Sequence, residues 1–383
     1  MKMTARNLIV LCLLFSPFAG RTQVRENWMD KPVSAWPRIA LVNHVQYKNG
    51  DRYVDPSFKY AATGFLIGSG KDTLAATAKH ILWIAKNRKT KSTEINNDLE
   101  QWVMTPKGMG KDSALIGRLL NEDPEEQLEG KGATSLDRDW IVFSTTKVAS
   151  GLYPLKPRYT QVKPGEKVYI LSCAYEDSLC TVHEGRVYKK LGMDILIRRD
   201  MKTHKGGCSG SPVIDANGYL IGVLSRSSYS EHGNVSVAIS TEYLKEVLNK
   251  NPSLNIPKKD YGELLYHTVL KDGTEKAMRQ YRDLIKDPQN YYTYNLYSPD
   301  RNGLRETGEK LILLGRYQEA IEMLKFAVKM TGGFYVNYNL LGKAQLLGGN
   351  KDLAIKAYQA AVKANEDKGN EAYAELEKLQ AKP

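Results

Sequence analysis

The chain is poor in histidine and cysteine, with six histidines and four cysteines among 383 residues. A protein zinc site needs such ligands grouped at short spacings. His44, His183, His204, His232 and His267 form no such group. We therefore expect no metal site and chemistry that needs no cofactor.

Long apolar runs are also missing, although a membrane-spanning helix needs about 20 apolar residues. The short apolar stretch Asn7–Phe18 follows Lys2 and Arg6 and precedes the small residues Ala19-Gly20. This three-part pattern indicates a secretory signal peptide over residues 1–22. Retention of the segment as an N-terminal anchor is the alternative. We expect a periplasmic or secreted protein with no membrane span after signal removal.

Nucleic-acid-binding motifs are absent despite a net charge of +12. Lysine and arginine are spread over both halves of the chain, and no basic helix, aromatic-interleaved sheet or finger motif occurs. Such a charge attracts anionic surfaces or acidic substrates non-specifically. We expect no nucleic-acid partner.

A glycine-framed serine is the most informative feature that is present. The segment Gly206–Pro212 has the sequence GGCSGSP and precedes an apolar run. Small residues on both sides of Ser209 predict a tight turn with an exposed hydroxyl. They also let a substrate carbonyl approach the backbone amides closely.

A base and an acid precede this serine in the chain. His80 follows a strand-like segment of small residues, and Asp139 directly precedes the β-forming run Trp140–Phe143. The order His, Asp, Ser is one of the known chain orders of a catalytic triad. Asp137 precedes the same run and competes with Asp139, which we favour because it adjoins the strand. Cys208 competes with Ser209 as nucleophile, and the Gly-Ser-Pro frame favours Ser209.

Three motifs resemble those of bacterial trypsin-like (chymotrypsin-fold) serine peptidases, similar to glutamyl endopeptidases and the protease domain of HtrA-type enzymes. They are ATGFLI at Ala62–Ile67, DWIV at Asp139–Val142 and GCSGSP at Gly207–Pro212. The resemblance covers about residues 36 to 248. We place the peptidase domain at residues 30–250. It implies an all-β double six-stranded barrel.

The same resemblance implies site roles and an activity. His80 is the expected general base, Asp139 its orienting acid and Ser209 the nucleophile. The backbone N–H groups of Gly207 and Ser209 are the expected oxyanion hole. The expected activity is that of a serine-type endopeptidase on protein or peptide substrates. The alternative is an inactive trypsin-like scaffold that acts through protein interactions.

The sequence gives little indication of substrate specificity. The resemblance places the substrate pocket before the nucleophile loop and on the strand after it, which predicts Thr203, His204 and Ser225 as contacts. Digestive trypsin-like zymogens have an aspartate just before the nucleophile, which pairs with a new N-terminal amine. Cys208 occupies that position here, so we expect no activation by such a salt bridge.

Cys173 ends one predicted strand, and Cys180 precedes its predicted partner strand. An oxidising compartment permits a disulfide between them. Two unpaired thiols are the equally weighted alternative.

Helical periodicity replaces the strand pattern from Thr241 onward. Residues 251–303 are predicted as a linker and degenerate helical region, with a degenerate unit over 260–288. Residues 304–383 are predicted as a tetratricopeptide-repeat domain, ending in a capping helix over 370–379. Gly308, Ala320, Leu324 and Ala327 recur as Gly342, Ala354, Tyr358 and Ala361, always 34 residues later, which is the tetratricopeptide period.

Such repeats usually bind a peptide or protein, so the resemblance implies a protein partner at this domain. A helical hairpin array without a binding role is the alternative. We expect the tyrosines of this region to pack between helices rather than to line a groove. They are Tyr291, Tyr292, Tyr294, Tyr297, Tyr335 and Tyr338.

Overall fold

The computed structural model describes residues 24–49, 60–82, 91–108, 111–130, 132–199, 205–230, 233–250, 255–296 and 302–380. The predicted signal peptide lies outside the described residues. Two closed antiparallel barrels are followed by a helical region, as the sequence predicts. Among the described helices, none has the length and apolar character to cross a bilayer.

The first barrel has six strands: β1 (Leu41–Tyr47), β2 (Thr63–Ser69), β3 (Asp72–Thr77), β4 (Leu99–Thr105), β5 (Ala114–Leu119) and β6 (Ile141–Val148). They close in the order β1-β2-β3-β6-β5-β4. Because successive side chains of a strand point to opposite faces, alternate residues fill the barrel. Trp102 and Phe143 are fully buried there, with ring centroids 4.7 Å apart.

The second barrel also has six strands: β7 (Lys167–Ser172), β8 (Thr181–Leu191), β9 (Asp194–Arg199), β10 (Pro212–Asp215), β11 (Leu220–Ser230) and β12 (Gly233–Ser240). They close in the order β10-β11-β12-β9-β8-β7. Ser172 pairs with Thr181, which brings Cys173 and Cys180 together. These cysteines form a disulfide with a Cα–Cα distance of 4.1 Å, so the structure favours the bonded alternative.

One apolar cluster joins the two barrels. Phe65 of β2 packs edge-on against Trp140, with ring centroids 5.9 Å apart. The Trp140 indole N–H donates to Ile239 O of β12 at 3.0 Å, across the junction. The turn that follows β3, the turn that precedes β6 and the turn that precedes β10 all meet at this junction. They carry His80, Asp139 and Ser209.

Nine helices follow in the described part of the chain. They are α1 (Thr241–Leu248), α2 (Tyr261–Asp272), α3 (Thr274–Lys286), α4 (Asn290–Thr293), α5 (Gly303–Leu313), α6 (Tyr317–Met330), α7 (Tyr335–Leu347), α8 (Lys351–Ala364) and α9 (Glu371–Gln380). Ser240 caps α1 by accepting a hydrogen bond from the Glu242 N–H. The predicted degenerate unit over 260–288 corresponds to the α2–α3 pair. The predicted capping helix corresponds to α9.

The recurring glycines lie where paired helices approach closely. A β-carbon at Gly308 of α5 would lie 2.5 Å from Leu324 Cγ of α6. One at Gly342 of α7 would lie 2.7 Å from Tyr358 Cε1 of α8. Both distances are shorter than real β-carbon contacts, so a larger residue would force the side chain of the partner helix to shift. The 34-residue recurrence is thus a recurrence of helix packing, and the tetratricopeptide assignment stays a prediction.

The helical region also contacts the second barrel through two of the tyrosines. The Tyr292 hydroxyl donates to Glu242 Oε2 at 2.7 Å. Glu242 in turn pairs with Lys190 of β8 at 2.9 Å. Tyr291 packs against a small apolar cluster of that barrel that includes Leu191. These two tyrosines therefore pack as the sequence predicts, but against the barrel as well as between helices.

The other tyrosines of the predicted set pack within the helical region. Tyr294 lies against the core shared by α2, α3, α5 and α6. Tyr335 and Tyr338 lie against the smaller core of α8 and α9. Tyr297 lies outside the described residues. Packing is thus the observed role of the described members.

Candidate active site

His80 lies in a short 3₁₀ turn, Lys79–Ile81, directly after β3. The small residues before it are fully buried, Ala76 in the cluster that joins the barrels and Ala75 and Ala78 in the core of the first barrel. Their size lets the turn sit close to the second barrel. The His80 side chain keeps 18% of its surface exposed, so solvent or a substrate can reach the imidazole.

Asp139 lies two residues before the start of β6, and its carboxylate is fully buried. Asp139 Oδ2 lies 2.7 Å from His80 Nδ1. The His80 backbone N–H donates to Asp139 Oδ1 at 2.9 Å, which ties the histidine turn to the same carboxylate. The Ser225 hydroxyl donates to Asp139 Oδ2 at 2.5 Å. Three donor groups therefore fix this acid behind the imidazole.

Ser209 completes the chain of hydrogen bonds. Its Oγ lies 2.9 Å from His80 Nε2. The loop around it depends on glycine, because Gly207 and Gly210 have φ values of +91° and +79°. A β-carbon at Gly210 would also lie 2.2 Å from Thr63 O of the first barrel. Both features explain why the serine is framed by glycines.

Two backbone N–H groups of this loop are held in fixed directions. Gly206 O accepts from the Tyr175 N–H at 2.9 Å, and Cys208 O accepts from the Ser211 hydroxyl at 2.6 Å. Because C=O and N–H point in opposite directions in a trans peptide, these bonds orient the N–H groups of Gly207 and Ser209. Within the described residues, neither N–H donates a hydrogen bond. Both are free for a ligand oxygen.

Thr63 fastens the nucleophile loop to the first barrel. Its backbone N–H donates to Ser209 O at 3.0 Å. Its hydroxyl donates to Gly207 O at 2.7 Å and accepts from the Cys173 N–H at 3.0 Å. The sequence motif around Thr63 marks the family resemblance, but sequence alone gives no sign of this bridging role.

The electrostatics of the site favour an ionised acid and a strong base. Burial raises the pKa of Asp139, but the charge and hydrogen bonds of His80 outweigh burial and hold that pKa below its ordinary value. Burial lowers the pKa of His80, but the Asp139 carboxylate outweighs burial and raises that pKa above its ordinary value. His80 is thus a better proton acceptor than a free imidazole.

The competing residues named from the sequence take other places. Cys208 is fully buried, and burial raises the pKa of its thiol, so it is neither exposed nor ionised. The carboxylate that binds His80 is that of Asp139. Asp137 lies two residues upstream, where its backbone N–H donates to Thr134 O at 3.1 Å.

The predicted pocket residues are only partly described. Thr203 and His204 lie outside the described residues. Ser225 is 2% exposed, and its hydroxyl faces Asp139. The buried Asp139 carboxylate therefore engages this hydroxyl, and a pocket or substrate-backbone contact of Ser225 stays a prediction. The pairing of β11 with β12 shifts register between Leu224 and Arg226, on either side of Ser225.

Within the described residues, no group of histidine, cysteine, aspartate or glutamate side chains has the arrangement of a metal site. The triad geometry can activate a hydroxyl without a metal. It provides a base in contact with the hydroxyl, an acid that orients the base, and two directed N–H donors.

Residues 62–223 match the model of the trypsin-like peptidase domain family. The match runs from β2 into β11 and includes His80, Asp139 and Ser209. No curated protein matches the chain.

Solved structures that resemble the chain include two of Rv3671c from M. tuberculosis. One is an inactive mutant form from strain H37Rv, 15% identical over 60% of this chain and 95% of that chain, with a TM-score of 0.38. The other is the active form of the protease, 14% identical over 67% of this chain and 95% of that chain, with a TM-score of 0.38.

Proposed function

We propose that the trypsin-like peptidase domain of this chain is an active serine endopeptidase that hydrolyses peptide bonds through His80, Asp139 and Ser209. One observation carries the proposal. An unbroken chain of hydrogen bonds runs from Asp139 Oδ2 to His80 Nδ1 at 2.7 Å and from His80 Nε2 to Ser209 Oγ at 2.9 Å. These contacts are within the range that general-base activation of a serine requires.

In the first half of the reaction, Ser209 Oγ attacks the substrate carbonyl carbon while His80 Nε2 accepts the hydroxyl proton. Asp139 stabilises the imidazolium that forms and keeps Nδ1 protonated. The carbonyl oxygen becomes an oxyanion beside the N–H groups of Gly207 and Ser209. Each such donor contributes roughly 10²–10³ in rate.

In the second half, the C–N bond breaks and His80 returns its proton to the leaving amine. The acyl half of the substrate, which carries the former peptide carbonyl, remains as an ester on Ser209. A water molecule then attacks the ester, with His80 again as base, and the acid product leaves. The loop regains its free hydroxyl, so no cofactor is consumed.

The remaining sequence features support proposals for the location, partner and substrate of the protein. The signal-like N-terminus supports export to the periplasm or beyond. The helical region supports a protein or peptide partner, because hairpins that recur in this way form extended surfaces. The substrate is proposed to be a protein or peptide.

The experiment compares the wild-type protein with Ser209→Ala on a proteome-derived peptide mixture, followed by mass spectrometry. The proposal predicts new peptide termini with the wild type and none above background with the variant. Thr160→Ala is a control that keeps full cleavage, because Thr160 is exposed in the connection between β6 and β7, where its hydroxyl accepts from Arg158 Nε at 2.9 Å. Absence of cleavage by folded wild-type protein would instead support the inactive scaffold.

A further inference from the structure

A buried ion pair lies directly behind the histidine turn. Lys79 and Glu126 both have fully buried side chains, and Lys79 Nζ lies 2.6 Å from Glu126 Oε1. Lys79 directly precedes His80. In a 3₁₀ turn successive side chains point about 120° apart. The Lys79 side chain can therefore anchor the turn from inside while His80 faces the cleft.

Asn255 supplies a second acceptor to this lysine. Its Oδ1 accepts from Lys79 Nζ at 3.0 Å and from the Tyr243 hydroxyl at 2.7 Å. Its Nδ2 donates to Asp123 Oδ2 at 3.2 Å. Asn255 is 9% exposed, and its amide is fully oriented by these three contacts. It belongs to the segment that connects α1 of the barrel unit to α2 of the helical region.

The next residue of the same segment contacts the acid's turn. Ile256 O accepts from Arg138 Nη1 at 2.6 Å, and Arg138 directly precedes Asp139. Consecutive residues of the connecting segment thus bind the residues that directly precede the base and the acid. The two contacts span the turns whose relative position sets the His80–Asp139 distance.

We propose that Asn255 is a positioning residue for the triad, which acts through Lys79 on the His80 turn. This inference rests on the proposed peptidase function. It makes the connection to the helical region part of the support of the active site. Asn255 touches neither the substrate nor a reacting atom, so its loss should slow acylation and leave substrate binding unchanged.

The expected fall in the reaction rate follows from the geometry of proton transfer. A displacement of about 1 Å caused by a change away from the chemistry can reduce a rate by about 10²-fold. Asn255→Ala removes one of two acceptors of Lys79 and leaves Glu126 in place. The turn then moves less than when the anchor is lost entirely. We expect the acylation rate to fall on the order of tenfold.

The test measures inactivation by a fluorophosphonate, with its maximal rate and its half-saturation concentration determined separately. Asn255→Ala should lower the maximal rate about tenfold and leave the half-saturation concentration within about twofold. Asn96→Ala is the matched control. Asn96 is a half-buried asparagine of the first barrel that binds Leu119 O and Glu122, away from Lys79. It should keep the wild-type rate.

An exchange of the two side chains tests the contact itself. Asn255→Asp alone places a carboxylate against Asp123 and should lower the rate at least as much as Asn255→Ala. Asp123→Asn combined with Asn255→Asp restores one amide and one carboxylate at the same contact. It should recover the rate to within about threefold of wild type. This pair keeps the test available where Asn255→Ala does not fold.

Two results would overturn the positioning role. One is an Asn255→Ala rate equal to that of Asn96→Ala. The other is a folded exchange variant no faster than Asn255→Asp. Failure of the proposed function gives a different result, because the wild type itself then shows no label at Ser209. In that case the low-field Nδ1–H resonance of His80 in Ser209→Ala protein still tests the contact. It should broaden or shift on adding Asn255→Ala and remain unchanged on adding Asn96→Ala.

Discussion

Asp139 organises the site at the scale of single residues. It binds the His80 imidazole at 2.7 Å, the His80 backbone N–H at 2.9 Å and the Ser225 hydroxyl at 2.5 Å. One carboxylate thus fixes both the ring and the turn that carries it. Its charge also raises the pKa of His80, although burial of the ring opposes this. Orientation and basicity therefore depend on the same group.

Asp139→Asn separates these two effects. Activity requires neutral His80, so the rate falls as pH drops through the pKa of His80, which lies above its ordinary value of about 6.5. The amide removes the negative charge that raises this pKa, so the acid limb of the rate profile should move to lower pH. The rate on the plateau should fall about 10⁴-fold, because the amide favours the wrong tautomer. A pH profile of fluorophosphonate labelling measures both changes, and an acid limb at higher pH would contradict the account.

Ser225→Ala tests the third donor to Asp139. The variant loses one hydrogen bond to a buried charge, and we expect the labelling rate to fall about tenfold. Ser144→Ala is a control of the same kind. Ser144 of β6 accepts from the Arg118 N–H at 2.8 Å and has no contact with the triad. Equal rates for the two variants would show that Ser225 does not position the acid.

The three proposed catalytic residues are predicted from the sequence, but the residues that hold them in place are not. His80, Asp139 and Ser209 each lie in a short local motif, where small residues or an adjoining strand mark them. The Ser225 hydroxyl joins Asp139 across 86 residues, and the Thr63 hydroxyl joins Gly207 across 144 residues. No local pattern encodes such contacts, so the sequence does not predict them. These contacts form only when the two barrels pack against each other.

At the scale of elements, a buried ion pair holds the turn after β3. Lys79 and Glu126 are fully buried, and the Thr134 hydroxyl also donates to Glu126 Oε1. Two ions are removed from water here, so each depends on the other for stability. A lysine beside the histidine resembles a solvated loop residue in the sequence. Its burial depends on the loop between β5 and β6, which local sequence does not place.

Lys79→Met should lower the free energy of unfolding by about 3–5 kcal/mol, because Glu126 keeps a buried charge without its partner. Adding Glu126→Gln removes that charge and should restore much of the loss. Urea unfolding followed by tryptophan fluorescence measures the change. Trp28, Trp36, Trp102 and Trp140 all lie in the barrel part of the chain. A midpoint for Lys79→Met equal to that of the wild type would contradict the assignment.

At the scale of the whole molecule, the fold class follows from the sequence, but the placement of the helical region does not. The family resemblance implies the two barrels, and the 34-residue recurrence predicts the helix pairs. The contact of Tyr292 with Glu242 has no sequence signature, because its geometry depends on how α4 lies against α1. The contact made by the segment before the first barrel has no sequence signature either. The Glu26 N–H donates to Asn217 O at 2.9 Å, in the turn between β10 and β11.

We expect activity not to depend on a free N-terminal amine, because Cys208 stands where an aspartate would pair with one. The thiol of Cys208 is neutral because burial raises its pKa, so no charge at that position can pair with an amine. Protein beginning at residue 23 and protein with ten additional residues before it should label with fluorophosphonate at rates within about twofold. Labelling that requires one cleaved terminus would show that a different activation mechanism operates.

The central claim is that Ser209 is the nucleophile of a peptidase, and the most direct measurement locates a covalent adduct. Wild-type protein treated with a fluorophosphonate is digested, and the modified peptide is sequenced by mass spectrometry. We expect one adduct on Ser209 of the loop Gly206–Pro212, which is strongly reduced in His80→Ala protein. An adduct at another residue, or none on folded wild-type protein, would contradict it.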